Sequence, residues 1–152
     1  MAGNKFLTPA NIRLFLLDRT ADDNFLLDDV DFQNDLLDMA QILTFDRYET
    51  TDPFIGVDFT IENFPFRLEL LLGVTGFLLK SKGLNLKRNQ LNYTSAAGTA
   101  VDDKSTAEAY LAMADKFLAE FDSRVHKIKG NININQGYGA QGSPYENLGL
   151  YW

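Results

Sequence analysis

The apolar positions fall into four stretches with helical spacing and a final one with none. In residues 65–88, Phe66, Leu68, Leu70, Leu71, Leu72, Val74, Phe77, Leu78 and Leu79 point round nearly the whole circumference of a helix. A helix apolar on all sides must be enclosed by other elements, so this stretch predicts a long, buried central helix. Ahead of it, Thr8 can cap a helix and Pro9 suits a first turn; Ile12, Phe15 and Leu16 then follow at helical spacing, predicting a helix over 9–18. Leu36, Leu37, Ala40, Leu43 and Tyr48 mark the buried side of a second helix over 33–49, with Asp35, Asp38 and Asp46 outside. Asp52-Pro53 stops it, because the residue before a proline resists the helical region. In the last helix Tyr110, Leu111, Ala114, Phe117, Leu118, Phe121, Val125 and Ile128 recur at three and four. Ser105 and Glu108 have capping-box spacing at its start, and Gly130 is expected to end it.

Between these helices the pattern is weaker. Residues 20–31 mix acids with Phe25, Leu26, Leu27 and Val30 and read as a loop tacked down by apolar side chains. Residues 54–64 are β-branched and aromatic and predict an extended connection or short strand, after which Thr60, Asn63 and Pro65 supply start signals for the central helix. Residues 92–101 read as a small-residue loop or hairpin anchored by Tyr93. After Gly130 the helical period is lost. Asn131, Ile132, Asn133, Ile134 and Asn135 alternate like a half-buried strand, and glycines are then interleaved with Tyr138, Tyr145, Tyr151 and Trp152. The expected fold is therefore mainly α: a bundle of about four helices, spanning 1–130, with a long buried central helix and an extended C-terminal tail, 131–152.

Composition narrows the function. The chain of 152 residues suits one domain with a real core, and its 45% hydrophobic and 23% charged content is that of a folded protein. Without cysteine there is no disulfide framework and no thiolate zinc site. No apolar signal run follows the first residues, and Arg67, Glu69 and Lys80 break the central apolar run before it reaches the ~20 residues of a membrane span. The net charge of −7 is uneven: residues 1–62 hold thirteen acids against four bases, and 63–152 hold eight against ten. An acidic chain is a poor grip for nucleic-acid backbone, although it suits the lining of a passage through which DNA slides without sticking.

The candidate chemistry is sparse. Read as a calcium loop from Asp22, the acid cluster has Leu27 where the template needs glycine and Gln33 where it needs glutamate, so a solvated acidic surface is expected and no metal. The lone His126 has no second imidazole for a metal and no evident nucleophile, which makes it a surface or capping residue. Asp102 and Asp103, the remaining candidates for acid–base work, are explained as helix caps. No catalytic residue and no cofactor is expected. Gly73 and Gly76 lie three apart on one face and permit close approach of a helix, from the same chain or from another copy. Lys80, Lys82, Lys87 and Arg88 complement the partial negative charge of a helix C-terminus, or pair with the acidic half of a neighbour. The tail carries apolar and aromatic side chains on glycine-rich backbone, which suits anchoring in a partner's groove or strand addition to a sheet edge.

The order of several motifs resembles the small helical head–tail adaptor, or connector, proteins of tailed bacteriophages. These are the Thr8-Pro9 helix with Phe15-Leu16 and Asp18-Arg19, then Leu27-Asp28-Asp29 with Asp31-Phe32, and the run Tyr48-Glu49-Thr50-Thr51-Asp52-Pro53. The central Leu-Leu-Gly73 helix, Asn89 with Tyr93, and Val101-Asp102-Asp103-Lys104 continue it. Ile132-Asn133-Ile134, Gly137-Tyr138-Gly139 and Gly142-Ser143-Pro144-Tyr145 complete it.

The resemblance implies a virion structural protein, assembled in the host cytoplasm and not an enzyme. Copies of it form a ring, twelve-fold in this reading, beneath the portal protein. The ring bridges the portal to a neck or tail protein of stopper or terminator type and surrounds the DNA exit channel without sequence-specific binding or membrane contact. Ile132, Ile134, Tyr138, Pro144, Tyr145, Leu148, Leu150, Tyr151 and Trp152 would dock on the portal, and Gly73, Gly76, Lys80, Lys82, Lys87 and Arg88 would meet the next subunit. The alternative is a soluble helical adaptor or regulatory protein that binds a partner through the same tail.

Overall fold

The computed structural model describes residues 7–17, 26–53, 55, 59–93 and 103–139. They form four α-helices and one 3₁₀ turn: α1 (Pro9–Phe15), the turn Asp29–Phe32, α2 (Asn34–Thr50), α3 (Arg67–Tyr93) and α4 (Asp103–Gly139). Among the described residues there is no strand. The mainly α, bundled architecture with a long central helix is thus the one the apolar pattern predicts.

α3 is the axis. It packs along most of its length on α4 and then on α2, while α1 touches it more lightly. Every residue from Glu69 to Gly76 is buried, and Leu70, Val74 and Leu79 join Ile12, Leu27, Phe121 and Val125 in the driest part of the core. Burial of each large side chain there contributes roughly 1.5–3 kcal/mol. Such tight packing of three helices needs small residues at the contact. A Cβ on Gly73 would collide with Thr44 of α2 and lie 3.2 Å from the Phe121 ring of α4. One on Gly76 would fall 2.9 Å from Leu118, and one on Gly83 3.0 Å from Leu111. The close approach these glycines permit is therefore within the chain, and Gly73 and Gly76 have no free face for a second copy.

Other local expectations shift. α1 stops at Phe15, and Leu17 adopts a positive φ of 53°. Leu43, expected on the buried side of α2, is 39% exposed. Thr60 and Asn63 do not start α3: the Thr60 N–H donates to Asn63 Oδ1 at 2.6 Å and the Asn63 N–H to Thr60 Oγ1 at 3.4 Å, closing a separate turn before Arg67. Of the predicted 92–101 loop, Asn92 and Tyr93 belong to the end of α3; the rest lies outside the described residues.

The largest correction concerns α4, which runs through Gly130 to Gly139. The expected strand at 131–135 is helical, so the helical body does not end at 130 and any extended tail begins no earlier than 140. Glycine ends a helix when the chain there turns left-handed. Gly130 instead keeps helical backbone, and Ile132 beyond it packs against the core.

Candidate functional site

The most unusual local chemistry lies where α4 passes the C-terminus of α2. An α-helix ends with carbonyls that have no partner in the helix. Here Lys129 supplies one from α4: its ammonium donates to Tyr48 O, to Thr51 O at 2.6 Å and to Glu49 O at 3.3 Å. The residue is 2% exposed, and Nζ sits 4.5 Å from the centroid of the Tyr48 ring. Burial pushes the Lys129 ammonium below its ordinary value, and the fields of Asp52 and Glu49 oppose this without cancelling it.

One turn earlier, His126 Nδ1 lies 2.9 Å from Asp52 O and donates to it when protonated there, so this exposed histidine ties α4 to the chain just past the same helix end. Arg47 adds a bidentate pair to Asp122, 2.7 Å at both contacts. Beneath lies a ring cluster of Phe45, Tyr48, Phe59, Phe64 and Phe66, in which Tyr48 and Phe64 meet edge-on with centroids 4.8 Å apart. Together these contacts fix the register of α4 on α2 just before the last helical turns.

A second cluster pins the acid-rich approach to α2. Arg13 of α1 donates to Leu27 O and to Asp29, the latter at 2.7 Å. Lys82 of α3 bridges Asp28 at 3.0 Å and Asp31 at 2.9 Å. Tyr110 of α4 donates to Leu26 O at 3.0 Å. Desolvation works to lower the Lys82 pKa, but hydrogen bonds to Asp31 and Asp28, with the fields of Asp31 and Tyr110, outweigh it and the net shift is upward. Three helices thus hold one short segment, and its charges are engaged inside the chain. Among the described residues no group of acids and histidines is arranged to hold a metal ion, and no helix is long and apolar enough to cross a membrane.

Of the residues expected to meet a neighbour, Gly73 and Gly76 are enclosed and Lys82 is engaged by Asp28 and Asp31. Lys80 is half-buried on α3, and only Lys87 and Arg88 present exposed charge near its end. Of the tail residues, Ile132 packs against the core and Ile134 is 56% exposed. The backbone of Tyr138 closes α4. Pro144, Tyr145, Leu148, Leu150, Tyr151 and Trp152 lie outside the described residues. An open groove of about 480 Å³ runs beside the first turns of α4, between Leu26, Ser105, Thr106, Ala109, Tyr110 and Met113. Asp102 lies outside the described residues, and Asp103 is described by its backbone alone.

Sequence reasoning missed Lys129, although the signal was present. Ala114, Leu118, Phe121 and Val125 form the buried stripe of α4, and Lys129 continues it four residues on. A lysine at a core position requires a set of acceptors. No family model, curated protein or solved structure matches the chain.

Proposed function

We propose that the chain is a structural virion protein, a head–tail adaptor whose copies form a ring under the portal and link it to the neck or tail around the DNA exit channel. The order of motifs from Thr8-Pro9 to Pro144-Tyr145 supports the reading. The observation that carries it is the course of α4: pinned at Lys129, the helix continues for nine residues from Asn131 to Gly139, a rise of about 13 Å, towards the aromatic segment 140–152. Fixed at Lys129, the chain beyond that residue is placed to carry a segment that docks outside its own subunit. The exposed acids of α2 and the exposed Lys87 and Arg88 are a charge pair from which a repeated head-to-tail contact between copies is built.

Mass measurement of the purified chain with and without portal rings tests this directly. The expected result is a ring-sized assembly on the portal. A chain that remains monomeric and unbound beside intact portal rings overturns the reading, and a single copy bound through 140–152 favours the soluble-adaptor alternative. Removing residues 140–152 is expected to weaken portal binding while leaving the unfolding transition of the bundle in place.

A further inference from the structure

The end of α4 sets its sequence against its conformation. Residues 130–139 read Gly-Asn-Ile-Asn-Ile-Asn-Gln-Gly-Tyr-Gly and are helical throughout. Each glycine disfavours a helix by about fivefold relative to alanine, and each asparagine by up to about threefold. Between 131 and 136, Ile132 reaches the core and Asn133 is half-buried, whereas Asn131, Ile134, Asn135 and Gln136 are exposed. No basic residue in the last turn offsets the helix dipole. Gly130 also differs from the glycines of α3, because a Cβ there would meet nothing within 4 Å. Packing gives no reason for glycine at that position.

The extended form uses the same residues better. In a helix, Ile132 and Ile134 are two positions apart and point in different directions, so one is buried and the other is not. In a strand, positions two apart share a face, and Ile132 and Ile134 line one side with Asn131, Asn133 and Asn135 on the other. Lys129 stands at the boundary, its bonds to α2 holding the helix up to that point.

We propose that residues 130–139 are a conditional helix, hinged at Gly130 and stopped by Lys129, that is exchanged for an extended strand when a partner offers a sheet edge. The hinge is a property of this chain alone; the identity of the partner rests on the adaptor reading above. The full chain is compared with a Gly130→Ala/Asn131→Ala/Asn135→Ala variant, which alters no buried side chain. In amide hydrogen exchange on the free chains, protection is expected to fall sharply between 129 and 131. The variant should raise protection of 131–137 by up to about 40-fold, the product of the three propensity changes. On portal rings the variant should bind more weakly than the natural chain by the same factor, because the helix must be given up. Protection of 131–137 equal to that of 114–128 in the natural chain, or equal portal affinity of the two chains, overturns the proposal. A natural chain that binds no portal ring counts against the adaptor reading, and exchange then decides the hinge by itself.

Discussion

Gly73 and Gly130 are the same residue put to opposite uses. At Gly73 three helices meet so closely that a single methyl group would strike Thr44 and crowd Phe121. At Gly130 the surroundings are open, and the missing side chain changes only how readily the backbone holds its helix. The contrast separates a region whose shape is fixed by packing, α3 between α2 and α4, from one beyond Lys129 in which four of the six side chains from 131 to 136 are exposed. A glycine in a helix is informative only once it is known what an added Cβ would touch.

The residue dividing the two regions should give the largest effect. Lys129→Met keeps the bulk of the side chain but withdraws the donor from carbonyls at the end of α2, and is expected to cost about 3 kcal/mol in urea unfolding. If the transition does not move, Lys129 is not what joins α4 to α2. Next in size is Gly73→Ala, where overpacking exceeds the gain in helix propensity for a net loss of about 1–2 kcal/mol. Thr44→Ser removes the colliding methyl and keeps the hydroxyl that donates to Ala40 O. In the Gly73→Ala background it should recover about 1 kcal/mol, and a double-mutant cycle without coupling would show that the clash lies elsewhere. Gly130→Ala should have the opposite sign, raising helix content by circular dichroism and adding at most about 1 kcal/mol.

The smallest effect concerns the pinned segment near α2 and appears only at alkaline pH. Lys82 has a raised folded-state pKa, so its contribution is complete below its ordinary value of 10.5 and is lost as pH climbs through the folded value. Lys82→Met should flatten that alkaline loss in pH-dependent unfolding. Lys129 has the reverse sign: held below its ordinary value, it favours the native state increasingly as pH rises towards 10.5.

These regions also differ in how far they could be read in advance. α2 was legible almost to the residue, since its apolar period and Asp52-Pro53 bracket it, and α3 was legible because no other element accommodates apolar residues on every side. The end of α4 was not. Gly130 and the Asn-Ile alternation are local signals for a stop and a strand, whereas the helix runs on past them with Ile132 packed against the core. The basic end of α3 reads as a complement to the helix dipole or as a surface for a neighbour, yet Lys82 pairs with Asp28 and Asp31, residues more than fifty positions earlier. Local spacing identifies elements; it does not say which distant charge will face which.

The Lys129 contacts also bear on the order in which the molecule is made. They join residues 78 to 81 positions apart, so the last turn of α2 leaves the ribosome long before the lysine that completes it exists. Until then the end of α2 is closed only by its own residues, through the Thr51 N–H and the Thr50 and Thr51 hydroxyls on Asp46 O and Arg47 O. α2 can pack on α3 before α4 is made, but a chain cut short before 129 lacks the donor that ties α4 to the Tyr48, Glu49 and Thr51 carbonyls.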